Sequence, residues 1–145
     1  MIPKIKVIFY MVGDNADINA ITEELDLQPT KTRKKSEWPR ASILVGLAQD
    51  TWSLQTEKEE SKAVSVQMDK LQGVLLPKVD IIKKLSRKYS LETSVTVVIE
   101  METGDGPEMV LSKKIYNFYP QLMQKLLLTC ILIKFGLYFQ TFEFP

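Results

Sequence analysis

Two segments of alternating apolar and polar residues constrain the fold of this chain more than any other feature. The clearer segment runs from Leu91 to Glu102, and Lys4 to Val12 follows the same rule. A period of two places successive side chains on opposite faces of a strand. Both segments are therefore predicted strands, whose inward faces carry Val95, Val97, Ile99 and Met101, and Ile5, Val7, Phe9 and Met11.

Three helices are predicted from apolar residues at helical spacing. Asp17 is placed to cap the first, which Pro29 ends, and Ser61 is placed to cap the second. Pro77 suits the first turn of the third, Lys78 to Lys88, because its fixed φ fits a helix start. The apolar stripes are Ile18, Ile21 and Leu25; Val64, Met68, Leu71 and Leu75; and Val79, Ile82 and Leu85.

The remaining segments complete the predicted order β-α-β-β-α-α-β-β-α-β. A hairpin is predicted from Ala41 to Ala48 and Thr51 to Thr56, and another strand from Met109 to Tyr116 after the turn residues 104–107. A helix from Pro120 to Phe135 and a strand from Leu137 to Phe144 finish the chain. Consecutive hairpins predict an α+β fold, a mainly antiparallel sheet with helices packed on one face, in one domain over residues 1–145.

Charge and cysteine content limit the classes of function. The 19 Lys and Arg residues against 18 Asp and Glu residues leave a net charge of +1. This balance argues against a dedicated nucleic-acid binder or a membrane-surface protein. Cys130 is the only cysteine, so no intramolecular disulfide can form, and a reducing, cytoplasmic setting is expected. The apolar run 126–133 is too short to span a bilayer.

The chain contains no histidine, which removes the most common general base and zinc ligand. The glycines at 104 and 106 are not followed by the Lys-Ser/Thr pair of a phosphate-binding loop. The acidic run 57–60 lacks the alternating ligands and glycine of a calcium loop. We therefore predict no catalytic, cofactor-binding or metal-ligating residues.

The basic loop between residues 30 and 40 is the strongest candidate for a binding site. Five cations beside an aromatic side chain are suited to a negatively charged partner. The alternative is a solvated loop balanced by nearby acidic residues. The candidate partner-binding residues are Lys31, Arg33, Lys34, Lys35, Trp38 and Arg40.

The C-terminal strand predicted at 137–144 is apolar on both faces. Such a strand is either covered by helices or paired across a subunit boundary. A homodimer through this strand is therefore a hypothesis, which light scattering at micromolar protein tests.

The order of these features resembles the bacterial family called domain of unknown function 4279. Its start is similar to the opening strand, Gly13-Asp14, Asp17 and Pro29, and its middle to Trp52-Ser53-Leu54 and Glu60-Ser61. Pro120, Leu122 and Gly136-Leu137 resemble its end. The resemblance implies one compact α+β domain in a bacterial cytoplasm, and it implies no catalytic residues.

Three functions remain open from the sequence. The leading hypothesis is a small non-enzymatic module that binds another protein through Trp38, the basic loop and an exposed sheet edge. The first alternative is an enzyme with an unfamiliar carboxylate- or lysine-based site. The second is weak nucleic-acid binding through residues 31–40, with an affinity that falls steeply as salt rises.

Overall fold

The computed structural model describes residues 2–102, 106–122, 125–132 and 136–143, and only the backbone in the last two stretches. Over these residues it contains seven strands and five α-helices, with short 3-10 turns at 35–37 and 76–78. The helices are α1 (Ile18–Leu25), α2 (Arg40–Leu44), α3 (Val64–Leu75), α4 (Val79–Lys88) and α5 (Lys113–Leu122). The strands are β1 (Lys4–Gly13), β2 (Lys31–Arg33), β3 (Asp50–Gln55), β4 (Glu59–Glu60), β5 (Glu92–Met101), β6 (Lys125–Leu132) and β7 (Gly136–Glu143).

All of these strands join one sheet, whose main order is β2-β3-β1-β5-β6-β7. The short strand β4 stands outside this order and pairs with β1, as β3 does. The two alternating segments identified in the sequence, β1 and β5, lie side by side at its centre. Every pair is antiparallel except β5 with β6. The predicted α+β class and mainly antiparallel sheet are confirmed.

Helices α1, α3, α4 and α5 cover one face of this sheet and form a single core with it. The alternating residues of β1 and β5 face that core as predicted, and Trp52 on β3 is fully buried there. The Nε1 of Trp52 donates a hydrogen bond of 3.1 Å to the hydroxyl of Thr22, which ties β3 to α1. The apolar stripes of the three predicted helices also face the core, with Val79 partly buried.

The first helix begins as the sequence predicts, because the Asp17 carboxylate accepts a 3.0 Å hydrogen bond from the Ala20 N–H. This bond satisfies an amide that has no partner within the helix. We expect Asp17→Ala to lower the free energy of unfolding by about 1 kcal/mol. Urea unfolding followed by circular dichroism measures this change. An unchanged midpoint in Asp17→Ala, beside a normal Asp17→Asn variant, would contradict the capping role.

The predicted strand from Ala41 to Ala48 is wrong, because α2 and a turn occupy this segment. Pro39 precedes the helix, and its carbonyl accepts a 3.2 Å bond from the Ile43 N–H. Gly46 then adopts a φ of 76°, a left-handed conformation that favours glycine. The edge of β3 is already paired with β2, so this segment finds no adjacent strand there.

The predicted strand from Met109 to Tyr116 and the predicted helix from Pro120 to Phe135 are also wrong. Both edges of β5 are taken by β1 and β6, which leaves none for a hairpin partner. The chain instead forms α5, whose apolar spacing is helical and in which Pro120 occupies the last turn. The apolar run after it becomes β6, which pairs with the edge of β5 that β1 leaves free. A short unbroken apolar run is compatible with a strand as well as with a helix, so periodicity alone does not separate the two.

The predicted closing strand is confirmed as β7, which forms the edge of the sheet beside β6. Gly104 and Asp105 of the predicted turn lie outside the described residues. Dimerisation through β7 stays a prediction. In the described part of the chain, every helix falls short of the length and apolar character that a membrane crossing requires.

Candidate functional site

The sheet face opposite the helices carries a groove of about 440 Å³. Its floor is the outward face of β1, formed by Lys6, Ile8, Tyr10 and Val12. Ile8 is only 7% exposed although it points away from the helical core. Burial raises the pKa of the Tyr10 hydroxyl above its usual value. The floor is therefore apolar at its centre and carries a cation at Lys6.

Polar side chains of β3 and the edge strand β2 line the groove beside this floor. β3 contributes Thr51 and Ser53, which stand opposite Arg33 and Lys31 of β2 in the register of the two strands. The Ser53 hydroxyl donates a 3.0 Å bond to the carbonyl of Lys31 and fixes this pair. Thr32, Gln49 and Gln55 complete this side.

Trp38 closes one part of the groove and is held by two contacts. Its Nε1 donates a 2.8 Å hydrogen bond to the carbonyl of Gln49. The guanidinium of Arg33 lies 4.2 Å from the centre of the Trp38 ring, at cation–π distance. The indole and the guanidinium therefore position each other, and both face the groove.

The turn between β2 and Trp38 is anchored by acidic residues outside the groove. The Asp50 carboxylate accepts a 2.7 Å bond from the backbone N–H of Lys35, whose ammonium lies 3.5 Å from the Asp14 carboxylate. The Glu37 carboxylate accepts a 3.1 Å bond from the Lys34 N–H. These contacts fix the backbone that carries Arg33 and Trp38.

The charge of the groove is one-sided. Lys6, Lys31 and Arg33 line it, and no carboxylate is found among the described residues of its lining. Amide and hydroxyl groups supply hydrogen bonds, and the tryptophan supplies a flat apolar surface. A concave site with an apolar floor, a few polar groups and a net positive charge is suited to a negatively charged group on an apolar or extended carrier.

The structure brings together three of the six predicted partner-binding residues. Lys31, Arg33 and Trp38 line the groove. Lys34 is exposed beside it, Lys35 is paired with an acidic side chain, and Arg40 begins α2 as an exposed residue. None of these positions contradicts the prediction, which nothing in the structure tests directly.

The sequence reasoning missed the floor of the groove. The sequence analysis gives no role to Lys6, Ile8 and Tyr10, which alternate with the inward residues of β1. The signal was available, since an outward strand face that mixes isoleucine and tyrosine with lysine is unusual for a fully solvated surface. The β3 residues carried no such signal, because Thr, Ser and Gln are common on any exposed strand.

Ionisable groups with a shifted pKa lie mainly outside the groove. Two lysines, Lys84 and Lys88, lower the pKa of Glu24, and Lys70 lowers that of Glu59. Lys58 likewise lowers the pKa of Glu100 by direct hydrogen bonding. Within the described residues, no group of three potential metal ligands is found.

Two buried polar groups of the core also show no link to the groove. Burial raises the pKa of Tyr119, whose hydroxyl donates a hydrogen bond of 2.5 Å to the Met68 carbonyl. The side chain of Gln67 donates a 2.9 Å bond to Glu59. These contacts join α3 to α5 and to β4, so they stabilise the packed face of the domain.

A mainly antiparallel sheet with helices on one face and a basic groove on the other defines a small α+β domain with an open sheet-face site. The family described as Domain of unknown function (DUF4279) matches residues 3–128, and the chain belongs to it. Every residue that lines the groove lies within the matched range. Comparison with curated proteins and with solved structures finds no match to the chain.

Proposed function

We propose that this domain is a non-enzymatic binding module whose sheet-face groove holds an acidic segment of another protein. The observation that carries this proposal is the lining of the groove, which Lys6, Lys31, Arg33 and Trp38 share and in which no carboxylate is found among the described residues. Arginine and tryptophan are enriched among the residues that dominate binding energy at protein interfaces. Cations that flank them favour aspartate and glutamate side chains.

A catalytic role receives less support from the same features. A carboxyl group that acts as a general acid near neutral pH needs a raised pKa, which burial or a like charge supplies. The shifts at Glu24, Glu59 and Glu100 are downward and come from surface ion pairs. They stabilise the charged carboxylate, which is the opposite of what proton donation near neutral pH requires.

Single-stranded nucleic acid is the second candidate, because aromatic and basic side chains share one sheet face. Three cations neutralise few phosphates, however, and one face of the Trp38 ring is already covered by Arg33. An oligonucleotide is therefore expected to bind more weakly than an acidic peptide. Its affinity would also fall more steeply with salt.

Selection of random peptides displayed on phage against the immobilised domain tests the proposal. Selected peptides are expected to be enriched in aspartate and glutamate relative to the starting library, and to compete with one another for one site. Enrichment in lysine and arginine would contradict the proposal. Tighter binding of a thymidine oligonucleotide than of any selected peptide would replace it with the nucleic-acid function.

The double variant Lys31→Glu with Arg33→Glu is expected to weaken binding of a selected acidic peptide by about 100-fold, because attraction becomes repulsion at two adjacent sites. Fluorescence anisotropy measures the dissociation constant. Lys113→Glu with Lys114→Glu is the matched control, since it changes the net charge equally at exposed positions of α5. Equal loss in both variants would show that overall charge, and not the groove, governs binding.

We further propose that the module works in a bacterial cytoplasm. The support is a single cysteine, which permits no intramolecular disulfide, together with the family resemblance. Fractionation of the native host checks this setting. Recovery from an extracytoplasmic fraction would contradict it.

A further inference from the structure

Trp38 and Gln49 both line the groove, and the segment between them lies outside its lining. Its two ends are joined by the hydrogen bond from the Trp38 Nε1 to the Gln49 carbonyl. Between them, α2 is followed by a turn in which the N–H groups of Leu47 and Ala48 both donate to the Ser42 carbonyl, at 2.9 and 3.3 Å. The segment is therefore a compact arm with internal hydrogen bonds, and we call residues 39–48 the arm.

The arm presents large apolar side chains to solvent. Leu44 is 75% exposed, and Val45 and Leu47 are each 68% exposed. They rank among the most exposed large apolar residues in the described chain. A cluster of this kind on a short arm marks an interaction surface more often than isolated exposed residues do.

The apolar cluster is close to the groove by chain geometry alone. Leu47 precedes Gln49 by two residues, which limits the distance between their Cα atoms to about 7 Å. A bound segment that leaves the groove past Trp38 or Gln49 therefore meets the arm within a few residues.

We propose that the arm is the second half of the partner-binding surface, and that the partner is an acidic segment which also carries large apolar side chains. This inference rests on the proposed function of the groove. Charge complementarity selects the occupant. The groove cations Lys31 and Arg33, together with Arg40, which is exposed at the start of α2, attract the acidic residues, while Leu44 and Leu47 cover the apolar ones. The cations therefore recognise the negative charge of the bound segment, and the arm recognises its apolar side chains.

Two peptides of about 12 residues, long enough to extend from the groove past the arm, test the inference. One contains only glutamate and serine, and the other replaces part of the serine with leucine. The intact domain is expected to bind the leucine-containing peptide about tenfold more tightly, since burial of leucine-sized surface accounts for such a difference. Isothermal titration calorimetry measures both affinities.

Leu44→Ser with Leu47→Ser is expected to remove this tenfold preference and to leave binding of the glutamate-serine peptide unchanged. Val74→Ser with Val110→Ser, which removes two exposed apolar residues elsewhere, is the matched control and is expected to keep the preference. A preference that survives in the arm variant would overturn the inference and leave the groove proposal intact. Failure of both peptides to bind the intact domain would overturn the groove proposal as well.

A lipid surface is the competing occupant, because exposed leucines beside cations also suit an anionic membrane. Vesicles of phosphatidylcholine, with and without phosphatidylserine, serve as the probe in a sedimentation assay. No sedimentation of the domain with either vesicle is expected. Sedimentation that requires phosphatidylserine and is lost in Leu44→Ser with Leu47→Ser would overturn the peptide assignment.

Discussion

Replacing Trp52 with alanine is expected to lower the free energy of unfolding by about 3–5 kcal/mol, the largest effect of any substitution considered for this domain. The side chain is fully buried between the sheet and the helices. Its removal leaves a cavity and also leaves the Thr22 hydroxyl without the Trp52 Nε1 donor. A domain of this size has about 5–15 kcal/mol of total stability, so the variant is expected to be near its unfolding threshold.

Trp52→Phe keeps most of the apolar volume and loses the hydrogen bond to Thr22. It is expected to cost about 1–3 kcal/mol, because the part-buried Thr22 hydroxyl loses one partner. Urea unfolding of both variants, followed by tryptophan fluorescence and circular dichroism, gives the two values. If Trp52→Ala unfolds at the same denaturant concentration as the wild type, the burial described for β3 is wrong.

Replacing Trp38 with alanine is expected to weaken binding while leaving the domain folded. The half-buried indole contacts Arg33 and Gln49 but does not reach the main core. Its loss is expected to cost about 1–2 kcal/mol of stability. Binding of a selected acidic peptide is expected to weaken by at least about tenfold, because Arg33 loses the ring that positions it in the groove.

Anisotropy with the labelled peptide measures the binding loss, and urea unfolding of the same preparation measures stability. Trp38→Phe separates two causes, since it keeps an aromatic face for Arg33 and removes only the hydrogen bond to Gln49. It is expected to retain more of the affinity than Trp38→Ala. Full affinity in Trp38→Ala would show that the partner does not use this wall of the groove.

The sequence placed the two tryptophans correctly relative to one another. Trp52 alternates with Leu54 in a strand, which predicts a core position, and the structure confirms complete burial. Trp38 lies in the basic loop between residues 30 and 40, where the sequence favours a more exposed position, and the structure shows it half-buried. Local patterns therefore carried real information about which aromatic residue stabilises the domain.

The sequence predicted only part of the candidate site. Lys31, Arg33 and Trp38 stand close together in the chain, so their composition alone singled out the basic loop. Lys6 and Tyr10 lie more than 20 residues away and reach the groove only because β3 pairs with β1 and carries β2 at its edge. Local sequence patterns do not predict which strands pair with one another.

Local sequence determined the two central strands, the three amphipathic helices and the helix cap at Asp17, because each depends on side-chain period or on a contact within one turn. Tertiary structure decided the state of residues 41–48, 109–116 and 125–132. The first two segments form no strand because β2, β1 and β6 occupy the edges of β3 and β5 that they would have needed, whereas 125–132 form β6 by pairing with the edge of β5 that β1 leaves free. Strand pairing is a property of the whole sheet, so it also decided which distant residues share the groove.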